Sequence, residues 1–594
     1  MAQATKQTGA ESVRWNLGDL FASPDDPEIE AWLAHDLERA REFEKKYKGR
    51  VASLEPKEFA AMMAELGDNE EAAAKPEVYA YMLHSQDTQD HSAGRLLSRV
   101  REASAERGSN MVFFTLELAQ VTDEHAKKLY ADAEAGKYRH FVEEARKFRP
   151  HQLSEPEERV LTDFSPVGNG AWVRLFDELC ARILVGVDGQ HVSLDQALTL
   201  LREPDRDVRR QASAAVTEAL SADIRTRGYV FNVILQEKSI DDRLRHFTQW
   251  ISSRNLANET SDAAVQALVD AVTSRYDISI RYYRVKRRLL GVGDLHEWDR
   301  YAPIAGATRD LSWDDARELV LGSYRRFSKR AGELIEQFFE TGWIDAAVTP
   351  GKQGGAYCMP VTPHHHPYVL MNFTGKLRDA LTLAHELGHG LHDRLAAKQH
   401  VFDYHPPLTL AETASVFGEA LTFDRIMAEE KDPQIRLAML CSQCEDAFST
   451  VFRQVAFNRY EDAMHTARRT QGELSVEQLG ELFQEKLQAM FGDALILTDQ
   501  HKVWWSYVSH FMHTPGYVYA YAFGNLLALS VYQRYREGKL SVDDYLGFLA
   551  AGGSTRPDEL VKRIGMDITD PGFWDSGLKI LDGMVTEVER LAGS

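Results

Sequence analysis

The segment His385-Glu386-Leu-Gly-His389 constrains this chain more than any other stretch, because three of its side chains suit metal chemistry. On an α-helix, residues four apart lie on the same face, so His385 and His389 can present two imidazole nitrogens to one zinc ion. Glu386 lies one position further round the helix and reaches a water on that ion as its general base. The pattern therefore predicts a buried helix that carries a catalytic zinc site.

A third ligand is predicted at Glu412, which lies 23 residues after His389. Residues 408–423 follow Pro406-Pro407 and have the periodicity of an amphipathic helix, and a loop and a returning helix fit in the gap. Glu412 then completes a two-His, one-Glu site with an open water position, the catalytic kind of zinc site. Glu419, seven residues later, falls on the same helical face and can orient a ligand histidine.

His392 is an alternative ligand, because it lies one turn past His389 on the same stripe of the helix. A single helix is poorly shaped to supply three of the four tetrahedral corners, so we expect His392 to support a ligand or to pack in the core. The longer motif with a third histidine is also missing, since position 395 is Leu. The three adjacent histidines at 364–366 cannot all face one ion, and we expect a surface loop there.

Two short strands are predicted directly before the zinc helix, at 356–359 and 367–374. A strand at the edge of a cleft can pair its backbone with an extended peptide, which gives affinity without demanding a particular sequence. The alternative is that the two strands pair only with each other.

Given these predicted metal-site residues, the chain resembles the oligoendopeptidase F branch of the thimet oligopeptidase-like zinc metallopeptidases. The resemblance covers most of the chain. It is carried by Trp15-Asn-Leu-Gly-Asp-Leu20, Gly354-Gly-Ala-Tyr-Cys358, Met371-Asn-Phe-Thr-Gly375, His385-Glu-Leu-Gly-His389, Ala411-Glu412-x-x-Ser415-x-x-x-Glu419 and His510-Phe-Met-His513-Thr-Pro-Gly-Tyr517-x-Tyr-x-Tyr521. It implies a mainly α-helical, two-lobed zinc peptidase with a deep channel and a small β-sheet beside the active-site helix.

The resemblance also implies roles for the segment 510–521. Tyr517, Tyr521 or His513 is expected to stabilise the oxyanion that forms during peptide hydrolysis, since a Tyr hydroxyl or a protonated His can donate to it. His510 is the alternative to His513, and an aromatic run of this kind is otherwise most often core. The resemblance further favours substrate pairing at the second predicted strand. The residues expected to contact substrate there are Tyr368, Met371, Asn372 and Gly375.

Composition excludes several other classes of protein. The chain has 90 acidic and 69 basic residues, a net charge of −21, which argues against nucleic-acid binding by bulk electrostatics. Four cysteines in 594 residues do not make a disulfide framework. The polar segment 1–10 lacks an apolar signal core, and no run of 18 apolar residues occurs. We therefore expect a cytoplasmic protein without a membrane span.

The remaining sequence is mostly helical in pattern. Residues 28–135 have apolar positions at spacings of three and four, and a β-hairpin is predicted around Asp188-Gly189. We place a boundary near residue 195, which separates an N-terminal helical lobe, 1–195, from a catalytic domain, 196–594. Arg453-Gln454 and Arg459 either bind a substrate carboxylate or form salt bridges on a helix face.

The function predicted from all of this is hydrolysis of peptide bonds in short oligopeptides, with one zinc ion and with Glu386 as the general base. A zinc carboxypeptidase or dipeptidyl carboxypeptidase is an alternative, and a cationic group that captures a free C-terminus would distinguish it. A non-catalytic peptide-binding protein is the other alternative, but binding alone would not require Glu386 at that position.

Overall fold

The computed structural model describes residues 7–187, 189–304 and 310–593. Residues 1–6 of the polar N-terminal segment and Asp188 of the predicted hairpin turn lie outside these ranges. Helices make up most of the described chain, which confirms the mainly α-helical fold. The first helices are α1 Pro27–Tyr47, α2 Pro56–Gln86, α3 His91–Ala119, α4 Asp123–Ala131, α5 Arg139–Lys147, α6 Glu155–Phe164, α7 Asn169–Ala181, α8 Leu194–Thr199, α9 Arg206–Ala222, α10 Ile224–Leu244, α11 Ser252–Ala257, α12 Asp262–Ser274, α13 Tyr276–Leu289, α14 Trp313–Phe327 and α15 Lys329–Glu340.

The second half of the chain begins with the predicted zinc helix and continues to the C-terminus as helices. These are α16 Leu377–Ala396, α17 Val401–Tyr404, α18 Leu408–Ala411, α19 Ser415–Glu429, α20 Pro433–Ala447, α21 Arg453–Gln471, α22 Val476–Phe491, α23 His510–His513, α24 Tyr519–Arg536, α25 Val542–Leu549, α26 Pro557–Arg563 and α27 Pro571–Gly593. Among the helices of the described chain, none combines the length and the apolar character needed to cross a membrane.

The chain forms two compact units, and each is assembled from three separate segments. The first unit takes the described residues within Met1–Arg149, Thr308–Glu429 and Arg534–Met566. The second takes those within Pro150–Ala307, Glu430–Gln533 and Asp567–Ser594. The boundary predicted near residue 195 lies inside the second unit, and the division of the sequence at that point stays a prediction.

Two small β-sheets complete the fold. In the second unit, β1 Leu184–Val187 and β2 Gln190–Ser193 pair antiparallel, which confirms the hairpin. In the first unit, β3 Ile344–Asp345, β4 Tyr357–Met359 and β5 Tyr368–Leu370 form a sheet in the order β3-β5-β4. The predicted strands at 356–359 and 367–374 are therefore present, although β5 is shorter than expected.

The order of this sheet corrects the expectation that substrate pairs with the second strand. β5 is parallel to β3 and antiparallel to β4, so both of its edges are occupied. The partner on its other side, β3, is only two residues long and was not predicted. A peptide therefore has no free edge on Tyr368–Leu370, and β4 is the outer strand next to it.

The zinc helix α16 begins at Leu377, and the side chain of Asp379, in its first turn, caps it. The Asp379 carboxylate accepts the backbone N–H groups of Thr374 at 2.7 Å and Lys376 at 3.0 Å. These bonds satisfy backbone donors that have no partner within the helix, and they place a negative charge at the positive end of its dipole. Most of the helix is buried, as its apolar sequence predicts.

Helices α16 and α19 approach each other closely at two glycines. A Cβ atom on Gly388 would lie 2.4 Å from the carbonyl oxygen of Ala414 and 2.6 Å from the Cα of Ser415. On α19, a Cβ on Gly418 would overlap the Tyr324 hydroxyl and lie 3.0 Å from the carbonyl oxygen of Ala384. Only glycine lets the backbones meet at these distances, and this contact brings the start of α19 against the zinc helix.

Candidate active site and metal centre

Three predicted ligand atoms converge in the first unit. His385 Nε2 lies 3.3 Å from Glu412 Oε2, and His389 Nε2 lies 3.5 Å from the same oxygen. The two imidazole rings are nearly perpendicular, with an interplanar angle of 77°. All three ligand atoms lie within 4.8 Å of one another. The helical spacing therefore brings the two histidines together as expected, and Glu412 joins them from another segment.

Glu412 is presented by a turn, and this corrects the prediction of one continuous helix over 408–423. The short helix α18 ends at Ala411, and α19 begins at Ser415. The break lies where the backbone at Ala414 and Ser415 rests on Gly388 of the zinc helix. The chain turns here, and the turn places the Glu412 carboxylate beside the two histidines.

Several contacts hold the ligands in orientation. His385 Nδ1 lies 3.3 Å from Glu419 Oε2, so Glu419 contacts the ring nitrogen opposite the one that faces Glu412. His389 is hydrogen-bonded to the backbone carbonyl of Ala411. The Ser415 hydroxyl donates to Glu412 Oε2 at 2.6 Å. Such supporting contacts fix a ligand's tautomer and direction, and the Ser415 contact is one that the sequence analysis did not assign.

The donor set fits a zinc ion. Ligand atoms about 2.1 Å from one ion at tetrahedral angles lie about 3.4 Å apart. The two measured separations to Glu412 Oε2, 3.3 and 3.5 Å, agree with that spacing. Two imidazoles and one carboxylate are also the ligand types of catalytic zinc sites, which keep a fourth position open.

The electrostatics of the site favour a cation. Burial alone would raise the pKa of Glu412, but the hydrogen bond and charges of the two histidines hold it well below its usual range. Burial lowers the pKa of His389 to about 4. For His385, burial is outweighed by hydrogen bonds to Glu412 and Glu419, which keep its pKa well above the usual value. His389 is thus held neutral and Glu412 ionised, the states that metal ligation requires.

Glu386 is buried beside the ligands without being one of them. It is 6 % exposed, and burial raises its pKa to about 7. The backbone N–H of Cys358, on strand β4, donates to its carboxylate. A carboxylate with a pKa close to neutral can both accept and return a proton, which is what a general base followed by a general acid must do.

A second buried acid lies on the same helix, one turn beyond His389. Asp393 is 7 % exposed, and burial raises its pKa to about 8. The Cys358 thiol donates to Asp393 Oδ2 at 3.9 Å, so Cys358 contacts Glu386 through its backbone and Asp393 through its side chain. No motif singled out Asp393. Its only signal was its place four residues after a ligand histidine.

His392 lies in the core of the first unit. It is 3 % exposed and is hydrogen-bonded to the carbonyl of Leu549, and it is not among the converging ligand atoms. The histidines at 364–366 point to three different partners. Their ring nitrogens contact Glu71, Thr362 and Asp19 respectively. The three rings therefore do not converge on one metal position, as expected for adjacent residues.

The residues predicted to contact substrate hold the β-sheet region together. Tyr368 and Met371 are buried, and the Tyr368 hydroxyl donates to Asp19. The Asn372 amide donates to the carbonyls of Gln353 at 2.9 Å and Gly355 at 3.0 Å. Gly375 has a φ of +80°, which favours glycine. Substrate contact by these four residues stays a prediction.

The aromatic segment forms its own cluster in the second unit. His510 Nε2 lies 3.1 Å from the Tyr521 hydroxyl, and the His510 ring is parallel to that of Tyr517. The Tyr517 and Tyr521 rings are perpendicular, with centroids 5.1 Å apart. His513 instead contacts Asp177 Oδ1 at 2.7 Å. Of the two candidate histidines, His510 is therefore the one that lies with the tyrosines.

Comparison with known proteins identifies the family. The model described as Peptidase family M3 matches residues 326–580, and the one described as Oligopeptidase F matches residues 117–183. The chain belongs to peptidase family M3. It is a metallopeptidase of the oligoendopeptidase F branch, which confirms the resemblance drawn from its motifs.

Similar proteins cover nearly the whole of this peptidase. Oligopeptidase PepF of Bacillus subtilis is 26% identical over 97% of this chain and 87% of its own length. Group B oligopeptidase PepB of Streptococcus agalactiae is 26% identical over 98% of this chain and 97% of its own. The crystal structure of oligoendopeptidase-F from Enterococcus faecium superimposes with a TM-score of 0.71 at 22% identity, covering 96% of this chain and 99% of that one. These likenesses support a common fold and a peptidase activity.

Proposed function

We propose that this metallopeptidase is a zinc-dependent oligoendopeptidase that cleaves internal bonds of short peptides. The observation that carries the proposal is the convergence of His385, His389 and Glu412 beside the buried carboxylate of Glu386. The preference for short peptides rests on the similar proteins, which are named oligopeptidases and oligoendopeptidases. The cytoplasmic location stays a prediction, and four cysteines without a disulfide agree with it.

His385, His389 and Glu412 would hold the zinc ion. When bound there, zinc supplies Lewis acidity that polarises a scissile carbonyl and makes water more acidic. Glu386 accepts a proton from the attacking water and passes it to the leaving amine. Its burial, which raises the pKa of the carboxyl group, suits it to accepting and returning a proton. Glu419 keeps the ring of His385 aimed at the ligand position.

The chain's own donors complete the mechanism. Tyr517 and Tyr521 are the candidates to donate a hydrogen bond to the oxyanion of the tetrahedral intermediate, with His510 as the histidine that positions Tyr521. His513, the other predicted donor, is the weaker candidate because its Nε2 is engaged by Asp177. For peptide binding, we propose β4, the outer strand whose Cys358 N–H already contacts Glu386, as the strand that pairs with substrate.

Incubation of the purified chain with a mixed peptide library, followed by mass spectrometry, tests this function. Activity should disappear with a chelator and return with zinc, and the fragments should show internal cuts in short peptides. Release of only single residues or dipeptides from the C-terminus would favour the carboxypeptidase alternatives. Peptide binding with no fragments at any zinc concentration would favour a non-catalytic binding protein.

A further inference from the structure

Two buried tyrosines of the first unit donate hydrogen bonds to the main chain directly beside two of the candidate metal ligands. The Tyr324 hydroxyl, on α14, donates to the carbonyl oxygen of Ala384 at 2.8 Å. The Tyr545 hydroxyl, on α25, donates to the carbonyl oxygen of Thr413 at 3.1 Å. One carbonyl belongs to the residue before the first ligand histidine, and the other to the residue after the ligand glutamate. Each hydroxyl therefore holds the backbone beside a ligand side chain.

The Tyr324 hydroxyl lies in the crossing of α16 and α19. Glycine at position 418 leaves room for it, since a Cβ atom there would overlap the hydroxyl oxygen. The carbonyl oxygen of Ala384 has two lone pairs, so it can accept this hydroxyl besides a donor within its own helix. Tyr324 is buried, and burying a hydroxyl is costly unless it is hydrogen-bonded. A phenylalanine ring would fill the same space without that cost, so packing alone does not account for the hydroxyl.

The ring of Tyr545 is held where its hydroxyl meets the turn that presents Glu412. It stacks on Phe417 of α19, with ring centroids 4.0 Å apart and an interplanar angle of 19°. Phe327 of α14 packs edge-on against the same ring, with centroids 5.7 Å apart. The Thr413 carbonyl lies in the break between α18 and α19. Because a turn has fewer repeating backbone hydrogen bonds than a helix, its orientation depends more on contacts from other elements.

Both hydroxyls keep the proton that they donate. Burial raises the pKa of Tyr324 well above its ordinary value, and the charge of Glu419 raises it further. Burial likewise raises the pKa of Tyr545 well above its ordinary value. The two hydrogen bonds are therefore formed by neutral phenols and do not change with pH near neutrality.

We propose that these two tyrosines are positioning residues of the metal centre, which hold His385 and Glu412 through the two carbonyls in the arrangement that zinc requires before the ion binds. Apparent affinity falls with the fraction of molecules in the binding-competent arrangement, so ligands that are ordered in advance bind their ion more tightly. A role in packing alone would change the free energy of unfolding and leave the zinc affinity of the folded chain unchanged. The inference rests on the proposed function, because it takes the proposed zinc ligands as given.

The test replaces each tyrosine by phenylalanine, which keeps the ring and removes one hydroxyl. Zinc affinity is measured by competition with a chromogenic chelator, under conditions in which circular dichroism shows each variant folded. Tyr545→Phe should weaken zinc binding by roughly 3–10-fold, the factor that corresponds to one neutral hydrogen bond. Tyr324→Phe should have a smaller effect in the same direction, because Ala384 is also held by the regular hydrogen bonds of α16.

The matched control is Tyr47→Phe. Tyr47 is a buried tyrosine of the same unit, and its hydroxyl donates to Glu65 Oε2 at 2.8 Å, on a helix that carries no candidate ligand. This variant should bind zinc with wild-type affinity. Urea unfolding of the metal-free chains measures what each hydroxyl contributes to stability. Lower stability of Tyr324→Phe and Tyr545→Phe together with wild-type zinc affinity would assign both hydroxyls to packing and overturn the proposal.

If a variant folds poorly, all chains are compared in concentrated sucrose, which favours the compact state. A zinc affinity there that equals the wild-type value in both tyrosine variants would equally overturn the proposal.

Wild type and His389→Ala keep this proposal separate from the proposed function. If wild type binds no zinc, or if His389→Ala binds it equally well, the proposed metal centre fails and the positioning role fails with it. If wild type binds zinc, His389→Ala does not, and both tyrosine variants match wild type, the metal centre stands and only the positioning role fails. Weaker zinc binding in Tyr545→Phe, with Tyr47→Phe unchanged, is the result that the proposal predicts.

Discussion

The candidate metal centre in the first unit and the arginines around Tyr301 in the second unit arrange their charges in opposite ways. At the metal centre, carboxylates and imidazoles alternate, and every ligand has a partner at 3.3 to 3.5 Å. Around Tyr301, Arg300 and Arg453 donate hydrogen bonds to the phenol oxygen, and Arg202 lies 5.1 Å from the ring centre; no carboxylate among the described residues forms an ion pair with these three arginines. The first arrangement provides ligand atoms for a cation, and the second provides donors for an anion.

The largest effect should come from removing a ligand at the metal centre. Glu412→Ala should lower zinc affinity by well over the ~10–100-fold that loss of a supporting contact costs. Competition with a chromogenic chelator measures this directly. Glu419→Ala is the matched control, since it removes an equal charge from the same ring of carboxylates, and it should cost only about 10–100-fold. An empty site in Glu419→Ala with a full site in Glu412→Ala would reverse the two roles.

A second prediction tests whether the aromatic segment 510–521 takes part in catalysis. Tyr517→Phe should lower kcat by about 10²-fold with little change in KM, because a donor aimed at the oxyanion acts mainly in the transition state. Steady-state kinetics on a quenched peptide measure both constants. An unchanged kcat would give Tyr517 a packing role and move the assignment to Tyr521. The same measurement on His513→Ala should show a smaller loss, because His513 contacts Asp177.

A smaller effect, on stability and on zinc binding, should follow from a substitution that pushes helices α16 and α19 apart. Gly388→Ala forces a Cβ against the backbone of Ala414 and Ser415 and should cost about 1–3 kcal/mol of stability, the range for overpacking. It should also weaken zinc binding, since Ala414 and Ser415 lie at the end of the turn that presents Glu412. Urea unfolding, with and without zinc, measures both effects. Gly108→Ala on α3 is the control, because a Cβ there meets nothing within 4 Å and should stabilise the helix by about 0.5–1 kcal/mol. Equal unfolding midpoints for the two variants would contradict the close-contact account.

The convergence of the three candidate metal ligands was predictable because their sequence pattern is local. His385 and His389 follow the helical period. Glu412 lies only 23 residues after His389, a gap that a loop and a returning helix can span. The break that turns Glu412 inward was not predictable from periodicity, because it arises where the chain meets Gly388 on another helix. Likewise, β3 has only two residues and no recognisable pattern, so the central position of β5 was missed.

The group of arginines around Tyr301 had no local signal in the sequence. Its arginines come from positions 202, 300 and 453, and they meet only through the packing of the second unit. The sequence left open whether Arg453 and Arg459 bind a carboxylate or form salt bridges. The structure separates them, since Arg459 pairs with Asp462 at 3.2 Å and Arg453 pairs with a tyrosine.

The central claim is that Glu386 moves the proton while His385, His389 and Glu412 hold the zinc. Its most direct test is to measure zinc content and turnover together in Glu386→Gln. The account predicts that zinc stays at the wild-type level while kcat falls by at least ~10²-fold, the lower end for loss of a general base. Turnover within a few-fold of wild type, or loss of the zinc itself, would contradict it.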